Sequence, residues 1–460
     1  MSANMRCTTP MARPLEPRLR SLAACALVWL ATACGSGDKR PEHPGPNVVL
    51  LVVDTLRADH LGSYGRSPSP SPVMDEVAAN GIRFDQAFAQ SSWTRPSFAS
   101  FLTGRIPRST GIQREKGDAL HPKFDTLAEQ LQRAGYLTIG ATANPNVNRV
   151  FGFAQGFDRF LDSEVVWRWM DPEPGAPVAD VQSMQSADDL LGKVSNLVGA
   201  GDDGPYFLMI DLMEVHEYRG LDDPSPDLGE GGMTRRYDAS IATVDAAIGR
   251  FLRDLRAKPG FEDALVIITS DHGEGLDDHP GVEGASGHGF VVYGSQAHVP
   301  LLLDDGPGPL PERMVIDAPA RLMDLFPTVL EVAQIEIPRG LDGRSLLPLI
   351  RGEENPVQRP RSIVIESYFR GSSKLGIYDP EWRLFVNRDG HPGTELLELY
   401  RTGMTENGAA NNLAADNPDL VGKLAARLKD WERLNPSAET WSPEGGIPED
   451  VQQQLEDVGY

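Results

Sequence analysis

The chain has 460 residues, 40% of them hydrophobic, and a formal net charge of −23. That suits one large α/β domain with a smaller C-terminal piece. Arg6, Arg13, Arg18 and Arg20 against Glu16 give the first 33 residues +3, so the remainder carries −26, which excludes nucleic acid as an expected partner and means that any anion site needs local positive charge, most simply metal ions.

The N-terminus reads as an export signal. Arg18 and Arg20 precede the apolar run Leu22 to Ala33, too short to cross a bilayer as a stable helix. The run ends in Leu30-Ala31-Thr32-Ala33-Cys34, which resembles a bacterial lipoprotein box whose cysteine is lipidated. Residues 1–33 are then a lipoprotein signal peptide and 34–46 a polar, Gly/Ser/Pro-rich tether. The resemblance implies an exported lipoprotein of the cell envelope, held to the membrane by lipid on Cys34. An ordinary signal peptide with an incidental cysteine is the alternative. Cys7, Cys25 and Cys34 are the only cysteines, so no disulfide is expected in the body of the protein.

Residues 47–53, an apolar run after Asn47, predict a buried parallel strand with Asp54 at its carboxyl end. Helices are expected over 74–80, 96–103 and 124–134, the second with Pro96 in its first turn and Gly104 as its stop. Tyr136 to Thr142 reads as a strand. Residues 163–205 are polar and poorly periodic, and read as a surface insertion. Tyr206 to Leu212 is a second buried strand, ending near Glu214 and His216. A long helix is expected over 237–255, then a strand over 264–269 from which Ser270-Asp271-His272-Gly273-Glu274 emerges, then a helix over 322–333. From about Ser362 the pattern changes to antiparallel strands (362–366, 382–386 and 395–400) ahead of a helix around 420–431.

This alternation predicts a doubly wound, mostly parallel sheet flanked by helices over 47–355, with a small C-terminal antiparallel-sheet subdomain and tail over 356–460. Ligands bind such sheets outside the carboxyl ends of the strands. Asp54, His216, Asp271 and His272 all fall there.

Each chemical reading has a bland rival. Asp54 could cap a helix. Asp271-His272 could be a turn, although an Asp oxygen and a His nitrogen at one strand end can share a divalent ion. Thr94 could be a simple N-cap, with Ser92 and Ser97 as other hydroxyls. Arg57 could be a counter-charge for substrate or a surface ion pair. Single histidines such as His216, His288 and His279 are more often structural.

The segment Ser92-Trp93-Thr94-Arg95-Pro96-Ser97-Phe98 followed by Leu102-Thr103-Gly104-Arg105 resembles the sulfatase signature, Cys/Ser-x-Pro-x-Arg and then Leu-Thr-Gly-Arg. Pro96 and 102–105 match. Thr94 stands at the nucleophile position and Phe98 at that of the signature arginine. Sulfatases oxidise their cysteine or serine to formylglycine; threonine lies outside that motif, so no formylglycine is expected. The resemblance extends through Val53-Asp54-Thr55-Leu56-Arg57, Thr269-Ser270-Asp271-His272-Gly273-Glu274, Gly287-His288-Gly289 and later segments, spanning about 47 to 435. It implies one divalent ion (Ca, Mn or Zn) held by Asp54, Thr94, Asp271 and His272. The imidazole suits calcium least, since calcium favours oxygen ligands.

By the same resemblance Thr94 is the nucleophile, and His216 and His288 contact a transferring oxygen or protonate a leaving group; Arg57 keeps both of its readings, counter-charge for a substrate oxygen or surface ion pair. Thr55 stands where most sulfatases carry a second Asp. The lysine–histidine pair of sulfatases is replaced by Thr142-Ala143-Asn144-Pro145-Asn146, where Asn144 is expected to donate to a substrate oxygen. The implied activity is hydrolysis of a sulfate, phosphate or phosphonate ester of a small molecule, lipid or glycan. The rivals are a phosphotransferase acting on an envelope lipid or glycan, and a catalytically inactive binding lipoprotein.

Overall fold

A computed structural model of the chain describes residues 45–114, 117–162, 186–199, 204–218, 231–276, 278–354 and 362–443. The export signal, the Cys34 lipidation site, residues 34–44 of the tether, the boundary at 355/356 and the tail beyond 443 lie outside these residues. The described residues belong to one compact unit.

Fourteen strands are described: β1 (Val48–Val53), β2 (Ile82–Phe84), β3 (Ala87–Phe88), β4 (Leu137–Thr142), β5 (Arg159–Leu161), β6 (Tyr206–Leu212), β7 (Leu265–Thr269), β8 (Leu301–Asp304), β9 (Met314–Ile316), β10 (Ala320–Arg321), β11 (Ile363–Phe369), β12 (Ser372–Tyr378), β13 (Trp382–Asn387) and β14 (Leu397–Arg401). Eight form the main sheet, in the order β5-β4-β6-β1-β7-β8-β2-β9. Pairing is parallel except where β8 meets β7 and β2.

β1 shows why an unbroken apolar run folds this way. Val48, Leu50 and Val52 enter the core on one face of the sheet, and Val49, Leu51 and Val53 the core on the other. A strand buried on both sides can afford no polar side chain until its end. The 25-residue helix Gly232–Arg256 covers one face with Tyr237, Ile241, Val244 and Ile248. The helix Thr94–Thr103 packs on the other with Phe98, Phe101 and Leu102.

Several expectations shift. The helix expected at 124–134 is Leu127–Arg133, because Thr126 and Glu129 form a capping box that fixes its start. Within the stretch read as a surface insertion, Ala187–Leu197 is a helix that buries Leu190, Leu191 and Val194; the rest of 163–185 and 200–203 lies outside the described residues. Residues 322–333 divide into a 3-10 turn, Leu322–Asp324, and the helix Leu325–Val332.

The C-terminal sheet runs in the order β11-β12-β13-β14, all antiparallel. One face packs on Phe88, Val292 and Tyr293 of the main body. The helix Pro418–Leu434 covers the other. β12 was not foreseen; it carries Lys374, whose side chain is fully buried and paired with Asp389. Burial alone would push the Asp389 carboxyl up, but the hydrogen bond and charge of Lys374 outweigh it and hold it at about 2. This folded value lies below the unfolded one, so the pair's stabilisation is present above about pH 4 and lost as pH falls toward 2. Asp389→Asn strands a buried ammonium and should cost about 3 kcal/mol in urea unfolding at pH 7, with a smaller difference near pH 2.

Candidate active site

Four adjacent strands end at one level. Val52 of β1 pairs with Asp211 of β6 and Thr269 of β7, and Asp211 pairs with Thr142 of β4. The residues just beyond these ends form the site. Asp54 follows β1, Asp271 and His272 follow β7, and Asn144 follows β4. The Thr94–Thr103 helix brings Thr94 in as its first residue, two residues earlier than expected, and ends at Gly104 in the left-handed conformation. A helix start presents free amides and partial positive charge.

Asp54, Thr94, Asn144, Asp211, Asp271 and His272 are all fully buried. One oxygen of each key carboxylate is spoken for. Asp271 Oδ1 accepts from the backbone N–H groups of His272 (2.9 Å) and Thr55 (3.3 Å). Asp54 Oδ2 accepts from Asn144 Nδ2. The remaining oxygens, Asp54 Oδ1 and Asp271 Oδ2, are buried without a hydrogen bond. Both approach His272 Nε2, at 4.0 and 3.3 Å.

The imidazole's proton can be placed. His272 Nδ1 lies 2.8 Å from the Gly273 carbonyl, which can only accept, so Nδ1 carries the hydrogen and Nε2 a lone pair. Burial, reinforced by the neighbouring His288 and His216, overcomes the pull of Asp271 and lowers His272 to about 4. A lone pair thus faces two carboxylate oxygens inside the protein. Burial and the charges of Asp271 and Asp211 push the Asp54 carboxyl up, against the hydrogen bond from Asn144. Such a cluster is costly unless a cation lies among the three atoms. Ligand atoms of Asp54, Asp271 and His272 all lie within 4.8 Å of one another. The residues therefore fit a divalent ion, with one nitrogen and two oxygens as donors.

Thr94 Oγ1 stands 3.3 Å from His272 Nε2 and 3.5 Å from Asn144 Nδ2. Thr55 does not point its hydroxyl inward; Oγ1 turns back to the Asp54 carbonyl at 2.7 Å. Its φ of 60° is unusual for a β-branched residue. The Tyr237 hydroxyl, donating to the Thr55 carbonyl at 2.6 Å, holds this strained turn in place. The turn links Asp54 to Asp271 through the Thr55 amide. Gly273 is required by crowding, since a Cβ there would lie 2.0 Å from the Ser295 carbonyl oxygen.

The histidines divide. The His288 ring lies 4.7 Å from that of His272 and 5.2 Å from that of His216. Its Nδ1 is 3.0 Å from Glu274 Oε2. His216 Nδ1 is 2.8 Å from Glu217. His279 serves structure, with its ring nitrogens against the Glu406 carbonyl and the Ser295 hydroxyl. Arg57 sits in ion pairs with Asp59 and Asp278 and donates to the Glu274 carbonyl at 3.2 Å.

Sequence reasoning assigned no role to Asp211 or Glu274. Asp211 Oδ2 accepts from the Thr142 hydroxyl at 2.9 Å, and that hydroxyl accepts from the Asn144 backbone N–H, also at 2.9 Å. An acid inside an otherwise apolar strand was the available signal for it.

A family model described as Sulfatase matches residues 46–335. Steryl-sulfatase of Mus musculus is 25% identical over 446 residues, covering 75% of this chain and 71% of that protein. Delta 4,5-hexuronate-2-O-sulfatase of Bacteroides thetaiotaomicron is 24% identical, covering 83% and 87%. The solved structure of a phosphonate monoester hydrolase from Silicibacter pomeroyi superposes with a TM-score of 0.66 at 20% identity, covering 85% of this chain and 96% of that one.

Proposed function

The chain belongs to the sulfatase family of sulfuric and phosphoric ester hydrolases, and from that premise we propose that it cleaves its ester with Thr94 as an unmodified nucleophile. The observation that carries this is the Thr94 hydroxyl itself, buried 3.3 Å from His272 Nε2, the nitrogen that the unbonded oxygens of Asp54 and Asp271 also approach. Asp54, Asp271 and His272 would hold the divalent ion, with Thr94 beside them. That ion, manganese or zinc in preference to calcium, supplies the charge that acidifies a hydroxyl and offsets a developing oxyanion.

The chain's own groups do the rest. Thr94 Oγ1 forms a bond to phosphorus or sulfur while the bond to the ester oxygen breaks, and the hydroxyl proton is released to solvent or to the departing group. Asn144 Nδ2 orients Thr94 Oγ1 and reaches the same oxyanion. His216 and His288 flank the site where the leaving oxygen departs and can give it a proton. Water then cleaves the Thr94 ester and restores the hydroxyl.

A panel of aryl sulfates, phosphodiesters and phosphonate monoesters tests this directly. With at least one, the first turnover should release leaving group in a burst equal to the enzyme concentration, wherever cleavage of the Thr94 ester is the slower step. Product formation that requires an added alcohol would instead identify a transferase. Absence of turnover with every ester, in protein loaded with manganese or zinc, would sink the reading.

We further infer that the mature protein begins at a lipidated Cys34 and is held at the cell envelope, as the Leu30 to Cys34 sequence suggests. Cys34→Ala should move it from the membrane to the soluble fraction; unchanged membrane association contradicts the anchor.

A further inference from the structure

The turn that carries Asp54 is held from the opposite layer of the molecule. Thr55 has a φ of 60°, where a β-branched residue is strained. Tyr237, on the helix Gly232–Arg256, keeps it there. Its hydroxyl donates to the Thr55 carbonyl at 2.6 Å and accepts from the Arg57 backbone N–H at 2.9 Å. A hydroxyl does both at once, so one oxygen ties the two ends of the turn. The Tyr237 ring is itself fixed. It is fully buried, edge-on to His60 with 4.9 Å between centroids and to Tyr218 with 5.5 Å.

The amides of this turn reach the other half of the site. The Thr55 N–H donates to Asp271 Oδ1 at 3.3 Å, and the Leu56 N–H to Ser270 Oγ at 2.8 Å. The Ser270 hydroxyl in turn donates to the His272 carbonyl at 2.6 Å. The segment after β1 and the segment after β7 are thus laced together at a strained residue. A Thr55 relaxed to negative φ would no longer aim both amides at residues 270 and 271, and Asp54 would shift relative to Asp271 and His272.

We propose that Tyr237 is a positioning residue for the metal site. By enforcing the Thr55 turn it sets Asp54 Oδ1 against Asp271 Oδ2 and His272 Nε2, and so raises the affinity for a divalent ion. It acts through the backbone of Thr55 and Arg57. This rests on the reading of Asp54, Asp271 and His272 as the ligands, and adds to it a side chain from the helix layer that tunes how tightly they bind.

The test is calorimetric titration of the metal-free full chain with manganese and, separately, zinc, alongside thermal melts in EDTA. Tyr237→Phe keeps the buried ring and removes both hydrogen bonds. Its Kd for each ion should rise about tenfold or more, the scale on which residues that orient metal ligands act. A lower melting temperature in EDTA with wild-type Kd marks a merely structural residue and overturns the proposal. The double variant Tyr237→Phe/Thr55→Gly tests the strain itself. Glycine adopts positive φ freely and needs no clamp, so this protein should recover at least about threefold of the lost affinity. A double variant that binds no better than Tyr237→Phe also overturns the proposal. Asp271→Asn reports separately on the ligand set. If it loses the ion while Tyr237→Phe does not, the site stands and the role of Tyr237 falls. A wild-type chain that binds neither ion contradicts both.

Discussion

Thr94→Ala lowers kcat by on the order of 10⁴-fold or more, while metal content and folding stay close to those of the wild type. The size of the loss follows from the role. A nucleophile that forms a covalent intermediate has no substitute within the site, since water would have to occupy the same position unaided. Metal content is retained because Asp54, Asp271 and His272 supply the remaining donors. Thr94→Ser keeps a hydroxyl at the first position of the helix and should retain measurable activity. Steady-state kinetics with elemental analysis on the same preparations checks this. A Thr94→Ala protein with wild-type kcat would remove the hydroxyl from the mechanism.

Removing the metal has a second large effect, on stability as well as rate. Asp54 Oδ1 and Asp271 Oδ2 face a nitrogen lone pair and have no hydrogen bond of their own. Asp211 adds a third buried carboxylate beside them, itself pushed up by burial and by the charge of Asp271. In the metal-free protein this repulsion favours protonation of the carboxylates, as the upward shifts of Asp54 and Asp211 record. Saturating manganese or zinc, at about 1,000 times its Kd, adds about 4 kcal/mol by mass action alone, and the melting temperature rises by several degrees.

Asp271→Asn should abolish activity and most of that metal-induced rise. It should also melt no lower than the wild type in chelator, because one of the opposed charges is gone. Thermal melts with and without EDTA distinguish the outcomes. An Asp271→Asn protein stabilised by metal as strongly as the wild type would mean that the ion is held elsewhere.

The sequence revealed the site where a side chain's role depends on its position after a strand. The runs that become β1, β6 and β7 are mostly apolar because both of their faces are buried, and Asp54 directly after β1 and Asp271 and His272 just beyond β7 are polar residues of the candidate site. Asp54, Asp271 and His272 were found in this way, and Thr94 through the signature it partly matches. Asp211 was passed over because its significance lies across the sheet. It acts through Thr142 of a neighbouring strand.

The same limit explains the missed elements. In the helix Ala187–Leu197 the polar face, with Asp188, Asp189, Lys193 and Asn196, dominates the composition. Only packing shows that Leu190, Leu191 and Val194 form a buried stripe. In β12, Ser372, Ser373 and Lys374 hide a strand whose lysine is buried against Asp389.

The account depends most on a covalent bond to one oxygen. Acid-quenched enzyme, taken during the burst with the best ester of the panel, should yield a peptide containing Thr94 heavier by the transferred phosphoryl, phosphonyl or sulfuryl group, and fragmentation should place the added mass on Thr94. A burst whose adduct maps to another side chain, or leading-phase turnover with unmodified Thr94 peptide throughout, would contradict it.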